Sequence, residues 1–237
     1  MKHLIETENP SGLTITEYDR LILNSTTNDV IVKGGGYEYV DLGLPSHLKW
    51  AKCNIGAATE TEYGDYFMWG STTPNTNTIC DWEHAPFNGG NSEYNDEYFT
   101  AHKSEYLDDN ENLKPKFDAA TQIMGGDWRM PTQDDLNELY KYTKQERITD
   151  SNSKFLGFKF ISTKDTSKYI FIPKSGYRSG SSFYDQGTDG NIGLGHIWSS
   201  SFHSTVYAWE MSIYVDRINP SASNARLYGL PVRGVRE

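Results

Sequence analysis

The sequence predicts an α+β fold of short, twisted antiparallel strands, two helices and long loops, and three observations carry that expectation. Of the 237 residues, 14% are aromatic and 21 are glycine, the composition of a turn-rich sheet protein that is neither disordered nor coiled. Apolar residues recur in short alternating runs that stop at Gly or Pro, which is the period of half-buried strands. Only two segments place helically spaced apolar residues between a capping residue and a stop signal.

Residues 1–36 read as a separate segment. The runs Leu13–Ile15, Leu21–Leu23 and Val30–Val32 end at Gly34-Gly35-Gly36, a hinge. About thirty residues cannot bury enough surface to fold alone. The segment is therefore expected as an edge hairpin packed on the rest or as an arm for assembly or attachment, with 37–237 forming one domain.

Within that domain, Tyr39–Leu42 before Gly43 and Pro45, the alternating Leu48–Cys53, and Tyr66–Trp69 before Gly70 read as strands. Residues 71–116, rich in Asn, Thr, Asp, Glu and aromatics, read as one long functional or packed loop. Asp118 caps a short helix through Ala119, Ala120, Ile123 and Met124, stopped by Gly125-Gly126. Thr132 caps the second, with Asp135 completing a capping box and Leu136, Leu139, Tyr140 and Thr143 on one face. Phe155–Ile161 and Tyr169–Ile172 flank a polar turn as a hairpin. After Pro173 come Gly-rich turns, a strand over Val206–Val215, a Ser/Asn/Ala loop and a closing strand over Leu230–Val235.

The formal charge is −10, from 22 Lys and Arg against 32 Asp and Glu. Nucleic-acid binding needs a basic face that displaces counterions from phosphates, so no nucleic-acid partner is expected. The acidity lies entirely in residues 1–174. The last 63 residues hold five Arg and no Lys against five acids and are neutral. No stretch reaches the apolar length of a membrane span, and Glu6, Glu8 and Pro10 stand where a signal peptide would carry its apolar run. Export by an ordinary leader is not expected. Cys53 and Cys80 read as free thiols, with a single bridge between them as the alternative.

A catalytic set does not emerge. His3, His47, His84, His102, His196 and His203 form no i,i+4 pair and no cluster with cysteine, and read as surface or turn histidines. There is no nucleophile elbow and no phosphate-binding loop. Gly190, Gly193 and Gly195 have dinucleotide spacing reversed and precede a strand, so they read as turns. Asp108/Asp109 and Asp134/Asp135 read as solvated charge or as complements to a helix dipole. No cofactor or metal is expected.

Three groups of motifs carry a family resemblance. The chain opens with Val40-Asp41-Leu42-Gly43-Leu44-Pro45, Leu48 to Ala57, and Glu62 to Gly70. Its centre has Gly126-Asp127-Trp128-Arg129-Met130-Pro131-Thr132. Later come Ser175-Gly176-Tyr177-Arg178, Trp198-Ser199-Ser200-Ser201 and Gly229 to Arg236. In this order, over roughly Tyr37–Glu237, they resemble the Fibrobacter major paralogous domain family of gut Bacteroidetes and their phages. The resemblance implies a C-type-lectin-like fold of the formylglycine-generating-enzyme type, with Trp50, Trp69, Trp128 and Trp198 in the core. Enzymes of that type bind copper through a cysteine pair near their C-terminus. This chain has no Cys after Cys80, so that activity is not expected. The Glu-Pro-Asn, Gln-Pro-Asp and Trp-Asn-Asp triplets of calcium lectins are also absent.

The end of the chain, Trp198-Ser-Ser-Ser, Ala208, Asn219-Pro220, Arg226, Gly229 and Val232-Arg233, is similar to the fixed positions of variable proteins diversified by retroelements. Adenine mutagenesis there turns AAC codons into NNC codons, which cannot encode Lys, Glu, Gln, Met or Trp. The 25 residues Ser212–Arg236 contain none of the five, which make up 44 of the 237. Seven Ser and three Tyr lie between Trp198 and Tyr228, a chemistry like that of antibody paratopes.

On the Val206–Val215 strand, Trp209, Met211 and Ile213 are expected to face the core. Glu210, Ser212 and Tyr214 should face out and, with Phe202, His203, Ser204, Thr205, Asp216, Arg217, Ser221, Ser223, Asn224 and Leu227, form a ligand-binding face. The expectation is a non-enzymatic ligand- or receptor-binding protein with a hypervariable C-terminal face, the receptor-binding part of a phage or prophage tail. Its partners would be a protein or glycan on the host surface and, through residues 1–36, a tail; phage receptor-binders of this kind are often homotrimers. It would sit on the virion or an extracellular surface. The alternative is a bacterial surface or secreted carbohydrate-binding module or adhesin without diversification, its site an aromatic platform of Trp82, Phe87, Tyr94 and Tyr98.

Overall fold

A computed structural model of the chain describes residues 20–23, 30–33, 37–185 and 194–237. These form an α+β fold, mostly antiparallel, with three α-helices among the described residues. Strands β1 (Arg20–Leu23) and β2 (Val30–Lys33) pair as an antiparallel hairpin, Leu21 opposite Val32. The Leu13–Ile15 run, the Gly34–Gly36 hinge, Gly190 and Gly193 lie outside the described residues.

The two ends of the main domain meet. Strands β3 (Tyr39–Asp41) and β4 (Lys49–Ala51) pair with each other, and β5 (Tyr66–Phe67) follows. Residues 71–116 are not one loop, because they contain helix α1 (Asp96–Tyr106). Asn95 caps it by accepting the Tyr98 N–H, and Asp96 and Glu97 complement the dipole of its first turn. Only Phe99 and Tyr106 of α1 are buried, so the helix has no apolar stripe to announce it. The stretch before it is knitted by buried Asn88, whose amide donates to the carbonyls of Trp82, Asn91 and Glu93 at 2.8–2.9 Å while its oxygen accepts the Asn95 N–H.

Helices α2 (Ala119–Met124) and α3 (Gln133–Tyr142) lie where the sequence places them. The Thr132–Asp135 capping box is formed. Asp118 accepts the Thr121 N–H at 2.8 Å and the Met130 N–H at 2.9 Å, tying the start of α2 to the segment that enters α3. Burial raises the Asp118 pKa although these donors oppose the rise. The helix ends one residue before Thr143, which opens strand β6 (Thr143–Thr149). That polar strand pairs with β7 (Phe155–Ser162), and β7 with β8 (Tyr169–Pro173). At Gly157 φ is 150°, and a Cβ would stand 2.2 Å from the Ile172 carbonyl oxygen, so only glycine fits this irregular point of the ladder.

Strands β9 (Tyr177–Ser179) and β10 (Ser182–Tyr184) form a small hairpin. The longest sheet of the C-terminal part has β12 (Tyr207–Ile213) between β11 (Gly195–Phe202) and β13 (Ile218–Ala225). The expected Ser/Asn/Ala loop is thus strand β13. It is an edge strand, which admits Pro220, and its small residues mask the alternation that burial makes plain. The expected closing strand is two fragments, β14 (Leu230–Pro231) on β5 and β15 (Val235–Arg236) on β4.

Two clusters make up most of the core. One surrounds Trp69, Trp128, Trp198 and Phe99 and takes in α2; the other surrounds Trp50 and packs Leu136 and Leu139 of α3 onto Phe160, Ile170, Met211 and Ile213. The four expected core tryptophans are at most 1% exposed, and truncating a side chain of this kind to Ala costs about 3–5 kcal/mol. Their polar edges tie the motifs together. Trp69 Nε1 donates to the Ser199 carbonyl at 2.9 Å and Trp198 Nε1 to the Phe67 carbonyl at 2.7 Å.

Candidate functional site

The β11–β12–β13 sheet carries a cavity of about 460 Å³ on one face. Antiparallel pairing sets His196 opposite Ser212, Ser212 opposite Asn219, and Glu210 opposite Ala222. A register shift between Glu210 and Ser212 on the β13 side bends β12 at this point. His196 and Glu210 are therefore diagonal neighbours on one face, within reach of each other.

Their side chains meet at the floor. Glu210 Oε2 lies 2.7 Å from His196 Nδ1, while Oε1 accepts the Ser212 hydroxyl at 2.8 Å and the Asn224 amide at 3.3 Å. The carboxylate requires the imidazole proton on Nδ1. His196 Nε2 is sealed from solvent and has no hydrogen-bond partner, a state that costs on the order of 1–3 kcal/mol for a buried polar group. Tyr177 meets the imidazole edge-on, ring centres 5.9 Å apart, and is flanked by Tyr184 at 5.3 Å and Tyr228 at 5.2 Å. Burial raises the Tyr177 phenol pKa, so it remains a neutral hydroxyl.

The trio His196, Glu210 and Ser212 does not form a nucleophilic triad. The Ser212 hydroxyl bonds the carboxylate instead of imidazole Nε2, so the imidazole is not placed to remove its proton.

Six of the expected face residues line the cavity: Glu210, Ser212, Tyr214, Ser221, Ser223 and Asn224. Two need correction. Glu210 and Ser212 do not stand out into solvent; they are 1% and 3% exposed, because β12 is a central strand covered on both sides. On the opposite parity, Met211 and Ile213 are core as expected, whereas Trp209 is half-buried and meets the His203 ring at 4.1 Å.

The remaining face residues lie outside the cavity. Phe202 stacks on Phe99 at 5.4 Å against the core. Exposed His203 lies on Trp209, and Ser204 makes a turn with Tyr207. The Thr205 carbonyl accepts from buried Arg226 at 2.9 Å. Asp216 and Arg217 form the exposed β12–β13 turn, where the Arg217 guanidinium sits 4.0 Å over the Tyr214 ring at the cavity rim. Leu227 packs instead with Met68, Cys80, Ala85 and Trp82.

Sequence reasoning missed Tyr177, Leu194, His196, Asn219, Ala222 and Tyr228. His196 was expected on the surface or in a turn and is instead buried and paired. The available signal was its place on a strand entering Ile197-Trp198, a run that alternation would have buried.

Of the four residues of the alternative aromatic platform, Trp82 and Tyr94 meet while Phe87 is withdrawn into the core. Phe87 is buried in the core, stacked on Tyr106 at 4.0 Å; Trp82 pairs with Tyr94 at 5.1 Å, and Tyr98 stacks on His102 at 4.3 Å. Cys53 and Cys80 are both free. Among the described residues no cluster of His, Cys, Asp and Glu could hold a metal ion, and no helix is long and apolar enough to cross a membrane. No protein-family model, curated protein or solved structure matches the chain.

Proposed function

We propose that the chain is a non-enzymatic binding protein whose ligand face is the β11–β12–β13 cavity and its rim. The observation that carries this reading is the coincidence of two independent features. The cavity walls include Tyr214, Asn219, Ser221, Ser223, Asn224 and Tyr228, and these residues fall within the stretch Ser212–Arg236 that lacks Lys, Glu, Gln, Met and Trp. A concave surface of tyrosines and small polar groups suits ligand capture, with rigid rings supplying area and Ser and Asn supplying adaptable hydrogen bonds.

We read the fold as C-type-lectin-like, of the formylglycine-generating-enzyme type. Support comes from the way the resembling motifs interlock. Trp50 pairs with Val235, Arg129 bridges to Val235, and Trp69 and Trp198 each bond the other's strand or motif. The biological setting we favour is a phage or prophage receptor-binding protein diversified by a retroelement. Residues 1–36 would serve assembly or tail attachment, on a virion or at a cell surface, with several copies, as in a homotrimer, adding avidity to modest single contacts.

Two experiments test the reading. The gene neighbourhood should hold a reverse transcriptase and a near-copy of the last coding stretch differing at adenines; absence of both removes diversification. Replacing Tyr214 and Arg217 together by Ala should weaken capture by Bacteroidetes cells by on the order of 2 kcal/mol or more, and unchanged capture by the folded variant removes the face.

A further inference from the structure

The reading above leaves the ligand class open, and the cavity narrows it. Among the described residues Glu210 is the only acidic or basic side chain that lines it besides His196, and both of its oxygens are already engaged by His196, Ser212 and Asn224. A cationic ligand would have to compete with these donors, and an anionic one would meet a carboxylate. The walls offer neutral groups with spare capacity. Among the described residues no hydrogen bond engages the hydroxyls of Tyr177, Tyr214 and Tyr228 or the Asn219 side-chain nitrogen, the Asn219 oxygen alone accepting the Ser221 N–H. A hydroxyl on a ligand can both donate to and accept from such groups. The tyrosine faces are electron-rich and accept the C–H face of a saturated ring. The volume falls in the ~300–1,000 Å³ range of small-ligand sites, whereas a protein partner needs a broad surface of roughly 800 Å².

Resting on the binding reading, we propose that this cavity is a saccharide subsite. It takes one neutral sugar unit of a surface glycan, with the ring against Tyr228 and Tyr177 and its hydroxyls on Asn219 and Asn224, which share the face of Ser212 and Glu210. The His196–Glu210 pair acts as a positioning element, because Glu210 holds Asn224 and Ser212 in place from beneath.

The test uses the full chain and Bacteroidetes isolates treated in parallel with periodate, which destroys vicinal diols, and with protease. Capture should be lost on periodate-treated cells and kept on protease-treated ones. The monosaccharides released from the glycan, added singly as free sugars, should include one that competes for capture and shifts the His196 ring signals in NMR. Asn219→Ala alters an exposed side chain and should leave the protein folded while weakening that sugar roughly three- to tenfold. Capture lost to protease but not to periodate overturns the saccharide and leaves the binding face standing. Sugar binding indifferent to Asn219→Ala places the glycan elsewhere and also overturns the subsite. Failure of the face itself is read separately, from cell capture that survives Tyr214→Ala with Arg217→Ala.

Discussion

His196 Nδ1 and Glu210 Oε2 are 2.7 Å apart, with side chains only 4% and 1% exposed. The pair sits on adjacent strands at the base of the proposed site, and the carboxylate also anchors Ser212 and Asn224. Removing one member of such a pair strands its partners without removing the cost of burying them.

Glu210→Ala should therefore destabilise the protein by about 3–5 kcal/mol. Glu210→Gln, which keeps an acceptor of the same shape, should cost less. Urea unfolding of the two variants gives the comparison, and equal losses would mean that the hydrogen bonds of this carboxylate contribute little.

Burial of Asp118 gives the stability a pH dependence. Burial raises its pKa above the ordinary 3.8, against the pull of the Thr121 and Met130 N–H groups. A group whose folded pKa is raised binds its proton more tightly when folded. Its contribution to stability is complete below the ordinary value and is lost as pH rises through the higher folded value. The stability difference between the native protein and Asp118→Asn should accordingly shrink with rising pH across the acid range. A difference that grows with pH would show that the two N–H donors outweigh burial.

The helices α2 and α3 were legible because each has its full local code: Asp118 or Thr132 as cap, apolar residues at helical spacing, and for α2 a Gly-Gly stop. The hairpin β7–β8 was legible from its long apolar runs. Helix α1 was not, since Phe99 and Tyr106 alone are buried and the rest of its sequence resembles a polar loop. Strand β6 was hidden by its charged residues, and β13 by Pro220 and its small side chains, features an edge strand tolerates. At the site, six cavity residues were legible from composition because they share one stretch of chain. His196 and Tyr177 come from other strands and meet it only through sheet pairing and hairpin packing, which no local pattern encodes.

The two thiols should differ in reactivity. Burial pushes Cys80 up to about 11 and raises Cys53 as well, but Cys53 is only partly buried while Cys80 lies in a small core with Met68 and Ala85. Alkylation of the native protein at mildly alkaline pH should label Cys53 slowly and leave Cys80 unmodified until denaturant is added. Rapid labelling of both in the native state would contradict the packing around Cys80.

The central claim, that ligand is held on the β11–β12–β13 cavity, is tested most directly by oxidative footprinting of the full chain, free and bound to Bacteroidetes cells, read residue by residue. Tyr177, Tyr214 and Tyr228 line the cavity and are partly exposed. The account predicts that binding protects these three and leaves Trp82 and Tyr94 as reactive as before; protection of Trp82 and Tyr94 with the three cavity tyrosines unchanged would contradict it.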